Sequence, residues 1–238
     1  MNISCALIIA SMTALLAMTA PASAADAYWL DEVYAFYYLA SFQLDNQLNA
    51  IKAKGAKTLL LHSDDLPNPL LRYIVWRAKE AAGLKTILWI QWPTKSNLFR
   101  VASVDGAHAV QIYDHYFDDP PVSLLGLKKL LADKELWCSF QPNQWNFSIA
   151  RVCDHSDVQL YRQSCENTIY NASKLGILGQ SKVAISTYHS GDIKDDKLVS
   201  CISENATPYG NPVFVFKWAN NEAIIKRLFA LIPRQTNF

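Results

Sequence analysis

Eight short runs of strand-forming residues recur along the chain at a nearly constant interval. They begin at Val33 (VYAFYYLA), Ala56 (AKTLLLHS), Leu84 (LKTILWIQW), Ala107 (AHAVQIYD), Glu135 (ELWCSF), Asp157 (DVQLYRQ), Lys182 (KVAISTYHS) and Pro212 (PVFVFKW). Successive starts lie 22–30 residues apart, room for one strand, one helix and two short loops. Each run is nearly continuous in apolar residues, as parallel strands covered on both faces require. The intervening segments have helical period. Gln43–Gly55 places Leu44, Leu48 and Ile51 on one face, and Asn68–Gly83 places Leu71, Ile74, Val75 and Ala78 on one face; both stop at a glycine. Eight such repeats specify an α/β fold, a small single-domain (β/α)8 TIM barrel, with a doubly wound open sheet as the alternative. Segments 93–106 and 143–155 are weakly patterned and are expected to be short or irregular helices.

The first 24 residues form an uncharged segment, with an apolar run from Ala6 to Met18 and the small residues Ala22-Ser23-Ala24 after it. This reads as a secretory signal peptide cleaved after Ala24, leaving residues 25–238 as the barrel domain. The apolar run is short for a bilayer span and Pro21 follows it, so no stable membrane insertion is expected after cleavage. The expected location is secreted or periplasmic. Of five cysteines, Cys138, Cys153, Cys165 and Cys201 lie beyond the signal, an even number that suggests up to two disulfides in an exported protein. Three pairings are open. Net charge is +1, with no basic block to follow a phosphate backbone, so nucleic acid is not an expected partner. No Gly-rich phosphate-binding loop occurs, and no cofactor is expected.

In a barrel of this kind, chemistry is assembled where strands end and βα loops begin. The residues expected there are Tyr37, His62, Asp64, Gln91, Trp92, Asp114, His115, Asp118, Gln141, Trp145, Tyr161, Arg162, Glu166, Tyr188, His189 and Trp218. Carboxylates, amides and aromatic rings together suit carbohydrate. Sugar faces stack on Trp and Tyr, hydroxyls pair with planar polar groups, and glycoside cleavage needs two carboxyl groups. Asp114 is the first catalytic candidate, with Asp118, Asp64 or Glu166 as its partner and the other residues as the substrate-binding set. Asp119 precedes Pro120 and reads as the cap of the next helix.

The stretch AVQIYDHYFDDPP (109–121) resembles the fourth strand of the bacterial glycosyl hydrolase-like (β/α)8 barrels, matching at Ile112, Tyr113, Asp114, His115, Tyr116, Phe117 and Pro120. The stretch DHSDVQLYRQ is similar to their sixth strand at Gln159, Tyr161 and Arg162, and PVFVFKWAN to their eighth. The resemblance implies a secreted glycoside hydrolase acting on a polysaccharide or oligosaccharide. Where that pattern has paired aspartates, this chain has Asp114-His115, so only the first carboxylate carries over. The departure keeps a non-catalytic carbohydrate-binding barrel in view. A polysaccharide deacetylase, suggested by His62-Ser63-Asp64-Asp65, is a third reading. It needs an H-x3-H pair, two histidines with three residues between them, and histidines at 62, 108, 115, 155 and 189 supply no such pair, so no metal site is expected.

Overall fold

The structure is a computed structural model that describes residues 25–161, 163–190 and 196–218. Eight parallel strands close into one barrel in chain order: β1 (Ala27–Leu30), β2 (Thr58–His62), β3 (Lys85–Ile90), β4 (Ala109–Ile112), β5 (Glu135–Phe140), β6 (His155–Gln159), β7 (Val183–Ser190) and β8 (Val213–Trp218). β1 pairs with β8 to complete the ring, Ala27 against Phe214. The helices are α1 (Glu32–Ala40), α2 (Leu44–Ala53), α3 (Asn68–Ala82), α4 (Lys95–Ala102), α5 (His115–Asp118), α6 (Leu124–Leu131), α7 (Phe147–Ala150), α8 (Cys165–Lys174) and α9 (Asp196–Ala206). The expected signal segment and the stretch NEAIIKRLFALI (221–232), whose pattern reads as the helix after the eighth strand, lie outside the described residues. No helix among the described residues is long and apolar enough to cross a membrane.

Period two along each strand explains why the runs look continuously apolar. On β2, Leu60 faces the barrel interior while Leu59 and Leu61 face the helices; on β3, Ile87 and Trp89 point in and Leu88 and Ile90 point out. The lower interior is filled by Trp29, Leu60, Ile87, Trp89, Trp137 and Phe214. Trp29 meets Trp89 edge-on at 6.4 Å, and Trp137 stacks on Phe214 at 5.5 Å. Large rings suit an interior to which β1, β4 and β7 contribute alanines, Ala27, Ala109 and Ala184.

Two expectations are corrected. The run from Val33 is not the first strand. It is α1, and β1 is the shorter AYWL before it. Tyrosine-rich composition favours a strand, but the burial is helical: Tyr34 and Ala35 are buried, Tyr38 and Leu39 pack beside them one turn on, and Phe36 and Ala40 are exposed. Asp31 caps this helix, its carboxylate accepting from Val33 N–H at 2.9 Å. Asp119 does not cap the next helix either. That cap is Ser123, whose Oγ accepts from Gly126 N–H, while Asp119 is exposed at the end of the one-turn α5. As expected, the fifth repeat's helix, α7, is only four residues long, whereas segment 93–106 contains the regular α4, capped by Thr94.

The four cysteines form two disulfides, Cys138–Cys153 and Cys165–Cys201. The first ties β5 to the segment entering β6 and closes a span of 15 residues. The second joins α8 to α9. Replacing Cys138 and Cys153 together by serine should lower unfolding stability by roughly 3 kcal/mol, the chain-entropy value for a loop of that length, read from urea unfolding against the oxidised protein. No change in the midpoint would remove the bridge from any stabilising role.

Candidate functional site

The strand ends converge on three linked groups of polar residues. The deepest is a buried carboxyl. Asp157 on β6 points into the barrel and is fully buried. It accepts from Gln111 Nε2 on β4, from Ser139 Oγ on β5 at 2.9 Å and from Ser186 Oγ on β7 at 2.6 Å. One layer up, Gln159 Nε2 donates to Ser139 Oγ at 3.0 Å and Gln159 Oε1 accepts from Tyr113 OH at 3.1 Å. Burial pushes the Asp157 carboxyl up to about 7, against the hydrogen bonds from Ser186, Ser139 and Gln111 and with the nearby Asp114 charge adding to the rise. Burial also raises the phenols of Tyr113 and Tyr161, and the nearby charges of Asp114 and Asp157 add to the rise.

The second group is built on the β4 end. Asp114 is buried, and its Oδ1 accepts from His115 N–H at 2.8 Å, capping α5. Its Oδ2 accepts from Gln141 Nε2 beyond β5. Gln144 ties the group together. Its Nε2 donates to Asp118 Oδ1 at 3.1 Å and lies 3.4 Å from the Asp114 carbonyl, while its Oε1 accepts from Gln141 N–H. The His115 ring has Asp114 Oδ1 at 4.0 Å and Asp118 Oδ2 at 3.9 Å. It stacks flat on Trp92, 4.1 Å between ring centres and 9° between planes. Trp92 is 58% exposed, so an aromatic surface stands beside a buried carboxylate.

The third group lies at the ends of β1 and β2. His62 is buried against Trp89, with ring centres 4.3 Å apart. Its Nε2 meets Asp64 Oδ2 at 3.3 Å; its Nδ1 has Glu32 Oε1 at 3.6 Å and Asp31 Oδ2 at 3.8 Å. Burial disfavours the imidazolium, but the Asp64 hydrogen bond and the charges of Glu32, Asp64 and Asp31 outweigh it and raise His62 above its ordinary value. Burial likewise raises the Glu32 carboxyl, while His62 and the Asp65 N–H pull it down. Asp64 Oδ2 also accepts from Gln91 N–H at 3.1 Å and Trp92 N–H at 2.9 Å. The Arg100 guanidinium from α4 holds the carbonyls of Ser63, Asp64 and Leu66. This loop is therefore fixed from both sides, and Asp64 is one of its fasteners.

The sequence-expected residues divide accordingly. His62, Asp64, Gln91, Trp92, Asp114, His115, Asp118, Gln141 and Tyr161 belong to these three groups. Glu166 is exposed in the first turn of α8, beside the capping Ser164, and its carboxyl is held low by that turn's hydrogen bonds. Tyr37 lies within α1, against Tyr38, because strand one ends earlier than expected. Trp145 packs between Phe140 and Phe147 and donates its indole N–H to Leu175 O at 3.2 Å, on the helix side of the strands. Arg162 and the side chains of Tyr188, His189 and Trp218 lie outside the described residues. The sequence reading missed Asp31 and Glu32, hidden by the misplaced first strand, and Asp157. The alternation Asp157, Gln159, Tyr161 along β6 was the available sign of a polar inward row. Among the described residues, no group of three or more His, Cys, Asp or Glu side chains is arranged to hold a metal ion.

No family model matches the sequence, and no curated protein matches it. Solved structures do resemble it in fold. An active-site mutant of the Rhizomucor miehei β-1,3-glucanosyltransferase, in complex with laminaritriose, is similar with a TM-score of 0.55 at 10% identity, over 80% of this chain and 86% of that one. The deoxyribose phosphate aldolase of Aeropyrum pernix is similar with a TM-score of 0.53 at 14% identity, over 87% and 91%. A racemase from Streptomyces coelicolor A3(2) with bound magnesium is similar with a TM-score of 0.50 at 11% identity, over 82% of this chain and 56% of that one. These three name different chemistries, and at such identities the likeness extends to the fold alone.

Asp157 gives this arrangement a pH signature. Its folded value of about 7 lies above its ordinary 3.8, so between the two the folded protein keeps a proton that the unfolded chain has released. The stabilisation is full below about pH 4, falls as pH rises toward 7 and changes no further above it. Asp157→Asn should therefore flatten the decline in unfolding free energy between pH 4 and 7, a difference of a few kcal/mol at about 1.4 kcal/mol per pH unit. Urea unfolding of both proteins across that range measures it, and parallel curves would show that Asp157 does not hold the proton.

Proposed function

We propose that this chain is a secreted carbohydrate-active barrel that cleaves glycosidic bonds at its C-terminal mouth, with Asp114 as the reacting carboxylate. The observation that carries the reading is the combination at the β4 end. A buried carboxylate is fixed by a side-chain amide and a backbone N–H, and a broad exposed indole stands next to it. A sugar ring laid on Trp92 has its hydroxyls among Gln91, Gln141 and Gln144, and its anomeric carbon beside Asp114. There Asp114 is placed to meet positive charge developing on the ring, as nucleophile or stabilising anion. The glucanosyltransferase neighbour with its bound laminaritriose is compatible with a carbohydrate ligand on this fold. Two disulfides and the lack of a membrane-spanning helix among the described residues are compatible with export.

A second reading, carbohydrate binding without turnover, is favoured by one observation. His115 stands where the resembling pattern has its second aspartate, and it covers one side of Trp92. Asp114→Asn separates the two. Hydrolysis predicts a fall of about 10²- to 10⁴-fold in kcat/KM on whichever polysaccharide the wild type degrades, with the thermal unfolding midpoint nearly kept. A wild type that binds a polysaccharide by isothermal calorimetry and releases no reducing ends from it supports the binding reading, and an Asp114→Asn protein as active as wild type removes Asp114 from the chemistry.

A further inference from the structure

The proposed cleavage requires a proton donor for the departing sugar oxygen, and the expected partners of Asp114 are poorly placed for it. Asp64 spends one oxygen on two backbone amides and His62. Asp118 is 67% exposed, and Glu166 lies in the exposed first turn of α8. From the fixed groups at the barrel mouth we infer that Glu32, two residues beyond the end of β1, is the general acid of this site, with His62 as the imidazole that reloads it. The inference rests on the reading of Asp114 given above.

Four features of the geometry support it. Glu32 is the first residue of α1, two residues past the C-terminal end of β1, the end of the barrel where this fold places reacting groups. Its side chain is only 16% exposed, an environment that favours the neutral carboxyl. Its two oxygens are distinguished: Oε2 is occupied by the Asp65 N–H at 3.0 Å, a bond that by itself favours the ionised form, so a proton on this carboxyl sits on Oε1. Finally, Oε1 lies 3.6 Å from His62 Nδ1, a buried nitrogen that makes no hydrogen bond, while Nε2 of the same ring is held by Asp64. The ring orientation is thereby set with Nδ1 toward Glu32. The charged groups facing Glu32 are His62, Asp65 and Asp31, and their balance with burial raises its carboxyl above the ordinary range.

In the step itself, the Oε1–H proton passes to the glycosidic oxygen as the bond from that oxygen to the anomeric carbon breaks. The bonding pair stays with the oxygen, which leaves as an alcohol. Asp114 meets the positive charge on the ring. A water then adds to the anomeric carbon and gives up one proton, which His62 Nδ1 takes and passes to Glu32 Oε1, so that Asp114 stays ionised, the acid is reloaded and the net change is hydrolysis.

The test uses the full mature chain and two readouts. The first needs no substrate: carbon-detected NMR titration of the glutamate carboxyls. Glu32 should titrate above the ordinary glutamate value of about 4.3 and rise further in His62→Gln, which removes the neighbouring positive charge. A Glu32 titrating at or below the ordinary value overturns the proposal, whether or not any variant folds poorly. The second readout is leaving-group dependence on a panel of methyl and 2,4-dinitrophenyl glycosides of the common hexoses and N-acetylhexosamines. Glu32→Gln should lose about 10²- to 10⁴-fold in kcat/KM on a methyl glycoside and less than about tenfold on the dinitrophenyl glycoside, whose leaving group needs no proton. Asp114→Asn should lose both. Equal losses on the two glycosides in Glu32→Gln, or none, overturn the role of Glu32 and leave Asp114 standing. Failure of the wild type to cleave any member of the panel overturns both readings.

Discussion

A closed ring of eight strands encloses a volume that must be filled, and in this protein one buried carboxyl organises the filling. Asp157 collects hydrogen bonds from Gln111, Ser139 and Ser186, so side chains on β4, β5 and β7 all end on one residue of β6. Below it the interior is aromatic and apolar; above it stands the row of Gln159, Tyr113 and Tyr161. A buried polar network of this sort is stabilising only when each donor finds its acceptor, and a missing member leaves its neighbours desolvated and unpaired. The register of half the barrel is thereby coupled to the position of Tyr113, the residue before Asp114.

The opposite side of the mouth is organised by backbone capture. Asp64 takes two N–H groups of the β3 loop while Arg100 takes three carbonyls of the β2 loop. Neither charge forms its principal bonds with the other. Each satisfies main-chain groups that a short βα loop would otherwise leave unpaired. The effect is to hold Trp92 and His62 on rigid supports, which a binding surface or a reacting group needs if its geometry is to survive solvent and ligand exchange.

The repeat of strand and helix was legible in the sequence because burial on both faces forces near-continuous apolar runs at a fixed interval; six of the eight strands fall within those runs, and β6 overlaps its run but begins two residues earlier, at His155. The first lies outside its run. A four-residue strand, AYWL, carries little signal, and the tyrosine-rich run after it has the composition of a strand but the burial of a helix. That one displacement carried Tyr37 into the expected site and kept Glu32 out of it. Asp114, His115 and Trp92 could be found because they end strong runs. Asp157 could not be ranked, because the alternation Asp157, Gln159, Tyr161 marks an inward polar row but does not show which side chains on three other strands meet it. Trp145 shows the converse: a tryptophan just past a strand end can turn outward, and its direction is set by a partner 30 residues away, Leu175.

The stack of His115 on Trp92 has an optical consequence. An imidazolium in face contact with an indole accepts an electron from its excited state and darkens it, whereas neutral imidazole does so far less. Trp92 is the exposed ring of the mouth, and its partner lies between two carboxylates. Its emission therefore depends on contact with the His115 ring, and the mouth contains its own fluorescent reporter of anything that slides between the two rings.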